Sequence, residues 1–295
     1  MKGMIIKVKT SLSRKVFCVI NFLIMAGVIV TCLYPILYVL FASFSDAALL
    51  INSNGFLLKP AGFSLDAYKA IFSNNVILNG YKNTLFILVV GTSINLAMTI
   101  AAAYVLSSKD VMLKPFIMMF IILTMYFQGG LIPTYLNIKR LGLYDSIWSV
   151  ILPVSIDTFN LIIMRTYFLT IPDSLLESAD LDGAGDFTKI FHIVLPLSGS
   201  IIAVMVLYYG VAHWNSWFNA TMYIRSKDKQ PLQVILREIL ILNETSAMSG
   251  GDRGLNLSET IKYATIVIVM TPILMIYPML QKYFISGVMV GAVKG

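Results

Sequence analysis

Long apolar runs separated by short polar stretches set the pattern of this chain. The first run, Val16 to Phe44, is almost unbroken, and others lie at 83–106, 115–136, 146–169, 196–219 and 261–285. Each is close to the ~20 residues that a helix needs to cross the hydrocarbon of a bilayer. The pattern predicts an all-α, polytopic membrane protein with six transmembrane helices, the first over 17–44. A secretory leader also starts basic, but its apolar region is only about 7–15 residues long. The first run is therefore read as an uncleaved span. Residues 1–16 carry Lys2, Lys7, Lys9, Arg14 and Lys15 and no acid, which sets that end on the cytoplasmic side. Residues 17–295 are expected to form a single transmembrane domain, with both termini cytoplasmic.

Within the runs, composition marks where helices approach or break. The second is rich in small residues (Gly91, Ser93, Ala97, Ala101, Ala102, Ala103), which let helix backbones come close in lipid. The third is interrupted by Gln128-Gly129-Gly130-Leu131-Ile132-Pro133, where a paired glycine and a proline should break or kink it. The fourth is expected to be continuous, with Pro153, Asp157, Asn160 and Met164 on one face. Long outer loops at 46–82 and 220–260 each hold a short helix: one near 65–72, with Tyr68 and Phe72 on one face, and an amphipathic one after Pro231.

Composition agrees with this reading. Of the 295 residues, 58% are hydrophobic and 13% charged, against about a quarter charged in soluble domains. Mean hydropathy is +0.81. The net charge of +7 is scattered between the runs and forms no basic domain, so it does not point to nucleic acid; attraction to anionic lipid accounts for it. Cys18 and Cys32 would lie about 21 Å apart on one helix, too far for a disulfide.

The stretch Pro172 to Leu197 stands apart as the most acidic run in an apolar chain. It reads as two short helices joined at Gly183, which allows a sharp reversal. Pro172 suits a first helical turn, and Ser174 with Glu177 fits a capping box. Phe187, Ile190, Phe191 and Val194 then recur at helical spacing.

This stretch resembles the EAA loop of ABC importer permeases. The matching residues are Glu177, Ala179, Asp182, Gly183, Ala184, Phe191, Ile193, Leu195 and Pro196; Ser178 replaces the first alanine of the motif. Further likeness to the carbohydrate branch, and to its MalG-type second subunit, lies in Gly129 through Pro133, Asn160 through Phe168 with Ile171-Pro172, Pro231-Leu232-Gln233, and the tail Gly287 through Gly295. The resemblance implies the type I importer permease (MetI-like) fold, in which residues 172–195 form a cytoplasmic coupling helix that docks on an ATPase. It assigns that role to Glu177, Ala179, Asp182, Gly183, Ala184, Leu195 and Pro196. It also implies the partners: a MalF-like second permease, two ATPase subunits and an extracytoplasmic sugar-binding protein. The subgroup most resembled handles oligosaccharides or multiple sugars.

No catalytic kit is legible. There is no Walker A sequence to cradle ATP phosphates, no zinc or esterase motif, and no metal site, since His192 and His213 fall on opposite sides of the expected topology. ATP and magnesium are accordingly expected on the partner ATPases, with no cofactor bound by this chain. An intramembrane carboxylate is a functional candidate, which singles out Asp157 with Asn160 as a wall of the translocation path; a structural hydrogen-bond network between helices is the competing reading. In the fifth run, Tyr208, Tyr209, His213 and Asn215 combine rings with polar groups, as sugars require; an interfacial aromatic belt is the competing reading, strongest for Trp214 and Trp217. Asp157, Asn160, Tyr208, Tyr209, His213 and Asn215 are the candidate substrate path. The alternative is an ion-gradient-driven secondary transporter with Asp157 as the coupling carboxylate.

Overall fold

A computed structural model describes residues 12–53, 55–248, 259–275 and 278, with side chains outside 242–248. All the regular elements among the described residues are helices. Two compact units are present: one holds the segments up to Ile71 together with 259–267, the other Phe72 to Glu244 with 268–275.

The first unit is dominated by the helix Leu12–Ser43, long and apolar enough to cross a membrane. It buries only Ala42 and Ser43, while Phe17, Leu23 and Ile29 stand exposed. Those exposed side chains suit a lipid environment. Its far end meets a small core of Ala42, Leu50 and Leu57, with Tyr38, Phe41 and Tyr263 against it. Asp46 starts the short helix Ala47–Ile51 by accepting the Ala48 and Leu49 amides at 3.0 and 3.2 Å, an N-cap that satisfies donors the helix cannot. The helix expected near 65–72 is Asp66–Phe72. Only Tyr68 of its two expected aromatics turns inward, sharing a 2.8 Å hydrogen bond with Ser43, whereas Phe72 is exposed.

The second unit is built around the helix Asn75–Ser107, the other continuous helix that passes as a span. A π-turn occupies Ile87–Gly91. The extra residue of a π-turn re-aims the helix face, and here it brings Gly91 against the imidazole of His213. Of the small residues, Gly91 and Ala103 are buried and Ala102 is half-buried, while Ser93, Ala97 and Ala101 are exposed. Ala103 is fully buried in a core with Leu106, Leu161, Met164, Phe168, Met205 and Tyr209, and this helix packs most extensively on Thr158–Phe168. Gly80 has the same use near the other end: a Cβ there would run into Ile235 Cδ1 and lie 3.4 Å from Leu232 Cα.

Three apolar runs are bent pairs. Lys114–Tyr126 and Leu131–Arg140 meet at 112°, with Gly130 at φ +82° supplying the turn, so the glycine-proline interruption breaks the helix where the sequence predicts. The fourth run departs from expectation. It is Trp148–Val154 and Thr158–Phe168, bent by 47°, not one helix with a polar face. Pro153 removes a backbone donor, and Asp157, extended at φ −101° and ψ 127°, restarts the helix as its N-cap. The fifth run bends by 87° between Asp186–Leu197 and Gly199–Trp214, and the chain turns again before Trp217–Tyr223. The amphipathic helix after Pro231 is Leu232–Met248, with Leu232, Val234 and Ile235 buried. The sixth run is helical over 259–275; apart from residue 278, the rest of 261–285 and the tail lie outside the described residues.

Candidate functional site

The break in the fourth run and the turn that follows Gly199–Trp214 in the fifth meet at one cavity of about 810 Å³. Asp157 and Asn160 reach it from the restarted helix. Tyr208, Tyr209 and His213 come from Gly199–Trp214, and Asn215 from the turn just beyond. The structure thus brings all six candidate path residues to the same cavity. Phe159 and Phe218 line it too, together with Asn219, which the sequence suggested for the interfacial belt, and Asn95, which sequence reasoning missed.

A buried hydrogen-bond network holds this wall. The Asn95 amide donates to the Val154 carbonyl at 2.5 Å, which fixes its oxygen toward His213 Nε2 at 2.6 Å. That geometry makes Nε2 the donor. Asn95 is fully buried and His213 nearly so; a buried polar group of this kind persists only when it is paired. Tyr209 is tied in the same way. Its hydroxyl pairs with Thr99 at 2.7 Å and accepts the Asp157 amide at 3.3 Å. Tyr209 and His213 are therefore structural members of the wall, while Asp157 and Tyr208 stand open to the cavity. Asp157 Oδ1 accepts the Asn160 amide at 2.8 Å. A carboxylate at a helix N-terminus is favoured by the backbone dipoles, so the break both exposes Asp157 and holds it. Asn160 and Met164 are both buried on one face of the restarted helix, while the 47° break removes Pro153 from the face it was expected to share with them. Trp214, a candidate for the interfacial belt, is also buried, edge-on to Tyr81.

The loop 172–195 forms the two helices read from the sequence, Asp173–Leu181 and Asp186–Leu197. The reversal between them is a Schellman turn: Ala184 N–H reaches the Ala179 carbonyl at 2.8 Å, and Gly183 N–H reaches Asp180 at 3.0 Å. Gly183 sits at φ +77°, a left-handed conformation that glycine adopts without strain. Asp182 contributes its backbone to this turn. The capping box does not form. Pro172 itself occupies the N-cap without a side-chain bond, and Ser178 donates to the Ser174 carbonyl instead.

The two halves of the loop are stapled by Lys189, which bridges Asp180 and Asp186, while Tyr104 donates to Asp186 at 2.9 Å. Lys109 pairs with Asp173 at 2.5 Å, and its ammonium is held above the usual lysine range by that bond. Ala179 is buried, Ala184 and Leu195 are half-buried, and Glu177, Asp182, Gly183 and Pro196 are exposed. Around them Leu181 and Phe187 are 90% and 80% exposed, with Phe191 also bare, an apolar knob that a monomeric soluble surface would seldom present.

At the other end of the unit, Asp145 draws the 225–229 segment inward. It accepts the Arg225 and Ser226 amides at 2.9 and 2.8 Å and the Ser226 hydroxyl at 2.5 Å, with Lys229 at 3.4 Å. These donors, the Ser226 hydroxyl above all, hold its carboxyl well below the usual carboxylate range.

No family-level profile matches the chain. Similarity to individual proteins is extensive. The chain is 41% identical over 280 residues to a polygalacturonan/rhamnogalacturonan transport system permease protein, YtcP, of Bacillus subtilis (strain 168), covering 93% of this chain and 96% of that one. It is also 41% identical over 283 residues to the protein LplC of the same strain, covering 95% and 96%. Among solved structures, a bacterial ABC transporter involved in import of the acidic polysaccharide alginate superposes with a TM-score of 0.86 at 29% identity, over 94% of this chain and 100% of that one. With the loop motif, the broken helices and this full-length similarity together, the chain belongs to the carbohydrate-type permeases of ABC importers.

Proposed function

We propose that this chain forms, with a second related permease, the membrane path for an oligosaccharide delivered by an extracytoplasmic binding protein. In this reading it crosses the membrane six times with both termini in the cytoplasm, and the 172–195 loop couples it to two ATPase subunits. ATP and magnesium belong to those subunits. The observation that carries the reading is the cavity at the helix breaks, where Tyr208, Phe159 and Phe218 stand beside Asp157, Asn215 and Asn219. Irregular backbone at membrane depth is tolerated where it lines a cavity. Aromatic rings stack on the C–H faces of sugars while amides and carboxylates take their hydroxyls.

The exposed loop supports the coupling half of the proposal. Its Schellman turn presents Glu177 beside the apolar knob of Leu181 and Phe187, a combination suited to docking in a partner's cleft. Within this chain, the pairing of Lys189 with Asp180 and Asp186 and the Tyr104–Asp186 bond would carry movement of the docked loop to Asn75–Ser107, the helix that bears Asn95.

The test is co-purification from native membrane, with the bound chains identified by mass spectrometry. An ATPase, a second permease and a sugar-binding protein are expected. Recovery of this chain without an ATPase would overturn the proposal.

A further inference from the structure

The cavity wall has a charge character that narrows the class of sugar it meets. Among its lining residues Asp157 is the one acid, and neither lysine nor arginine is present. His213 offers no cation to the cavity, because it is 4% exposed and its Nε2 is spent on Asn95. Asp157 Oδ1 is engaged by the Asn160 amide, and Oδ2 has no partner among the described residues. An ionised carboxylate is an acceptor only. It takes hydroxyl donors and repels a second carboxylate at close range. The remaining open groups, the amides of Asn215 and Asn219 and the rings of Phe159, Tyr208 and Phe218, serve an uncharged polyol equally well.

We propose that the sugar unit seated against this wall is uncharged, and that Asp157, held at its helix break, enforces that choice by accepting hydroxyls and rejecting uronates. The inference rests on the carbohydrate reading above and goes further by naming the class of sugar unit. The structural neighbour is named for an acidic polysaccharide and YtcP for polygalacturonan, itself a polymer of uronate units, so charge is the property on which this chain is expected to part from both.

The probes are α-1,4-galactobiose and α-1,4-digalacturonate, which differ only in the oxidation of C6. Their binding to the purified transporter in detergent is measured by calorimetry for the wild type, Asp157→Asn and Asp157→Glu. Asparagine is also a good N-cap, so Asp157→Asn removes the charge and keeps the helix start. The wild type and Asp157→Glu should favour galactobiose by about tenfold or more, and Asp157→Asn should shrink that gap to about threefold or less, as expected when a like-charge repulsion is removed. Equal affinities in the wild type, a preference for digalacturonate, an unchanged gap in Asp157→Asn, or no binding of either probe would each overturn the inference. ATP-driven uptake of any oligosaccharide by the wild-type transporter would leave the carbohydrate reading standing in all of those cases, so the two can fail separately.

Discussion

Gly91 is where the π-turn, the buried amide and the cavity wall meet. A Cβ at this position would lie 2.6 Å from His213 Nε2, which no packed side chain tolerates. Gly91→Ala should therefore push the imidazole off Asn95 and cost about 1–3 kcal/mol as overpacking. In a His213→Ala background the same change should cost less than half as much, because the ring it strikes is gone. Thermal unfolding of the four proteins in detergent closes that cycle, and equal costs in both backgrounds would separate Gly91 from His213. Asp145 makes a prediction in pH. Its carboxyl is depressed in the folded protein, so its contribution is present above the unfolded value of about 4 and is lost as pH falls below it. The melting temperature of Asp145→Asn should be lower than that of the wild type at pH 7, and the difference should shrink below about pH 4. Little of this could be read from the chain. Asn95 and His213 are separated by 118 positions, and the signal available was a lone amide in a run of small and apolar residues.

At the scale of elements, the legible features were those encoded locally. Gly129-Gly130 with Pro133 announced the 112° break in the third run, and Gly183 announced the reversal in the loop. Gly183→Val should destabilise the loop by about 1–2 kcal/mol through left-handed strain, while Gly183→Asn should cost much less, since asparagine visits that conformation. The space around a Cβ there is open, so conformation and not crowding decides; protease sensitivity of the 172–195 loop would rank the variants, and equal sensitivity would contradict the account. Two element-level expectations failed because a local rule met a stronger one. The capping box lost to an earlier start: Pro172, extended at ψ 127° and so outside the first turn it was expected to join, takes the N-cap, and the helix begins at Asp173. The continuous fourth helix lost to Pro153 and Asp157 together, a breaker followed four residues later by a good N-cap. Both residues are visible in the sequence, but an apolar run on either side hid the break.

For the whole molecule, the two ends of the second unit are built differently. One end carries the stapled loop with its exposed Leu181 and Phe187, and the other carries the clip of Asp145 on 225–229, with the cavity lying at the helix breaks. The proposed coupling between the loop and the cavity needs stiff connections, and the helix Asn75–Ser107 offers one, bonded to the loop at Tyr104 and to the cavity wall at Asn95. In the proposed function the energy source is a separate ATPase subunit, a reading that full-length similarity to ABC permeases supports. The measurement that tests this most directly is uptake of a labelled oligosaccharide into proteoliposomes holding the purified transporter, with its binding protein outside. Uptake should require ATP inside the vesicles and persist when proton and sodium gradients are collapsed; uptake that proceeds without ATP and vanishes with the gradients would contradict the account and give Asp157 the role of a coupling carboxylate.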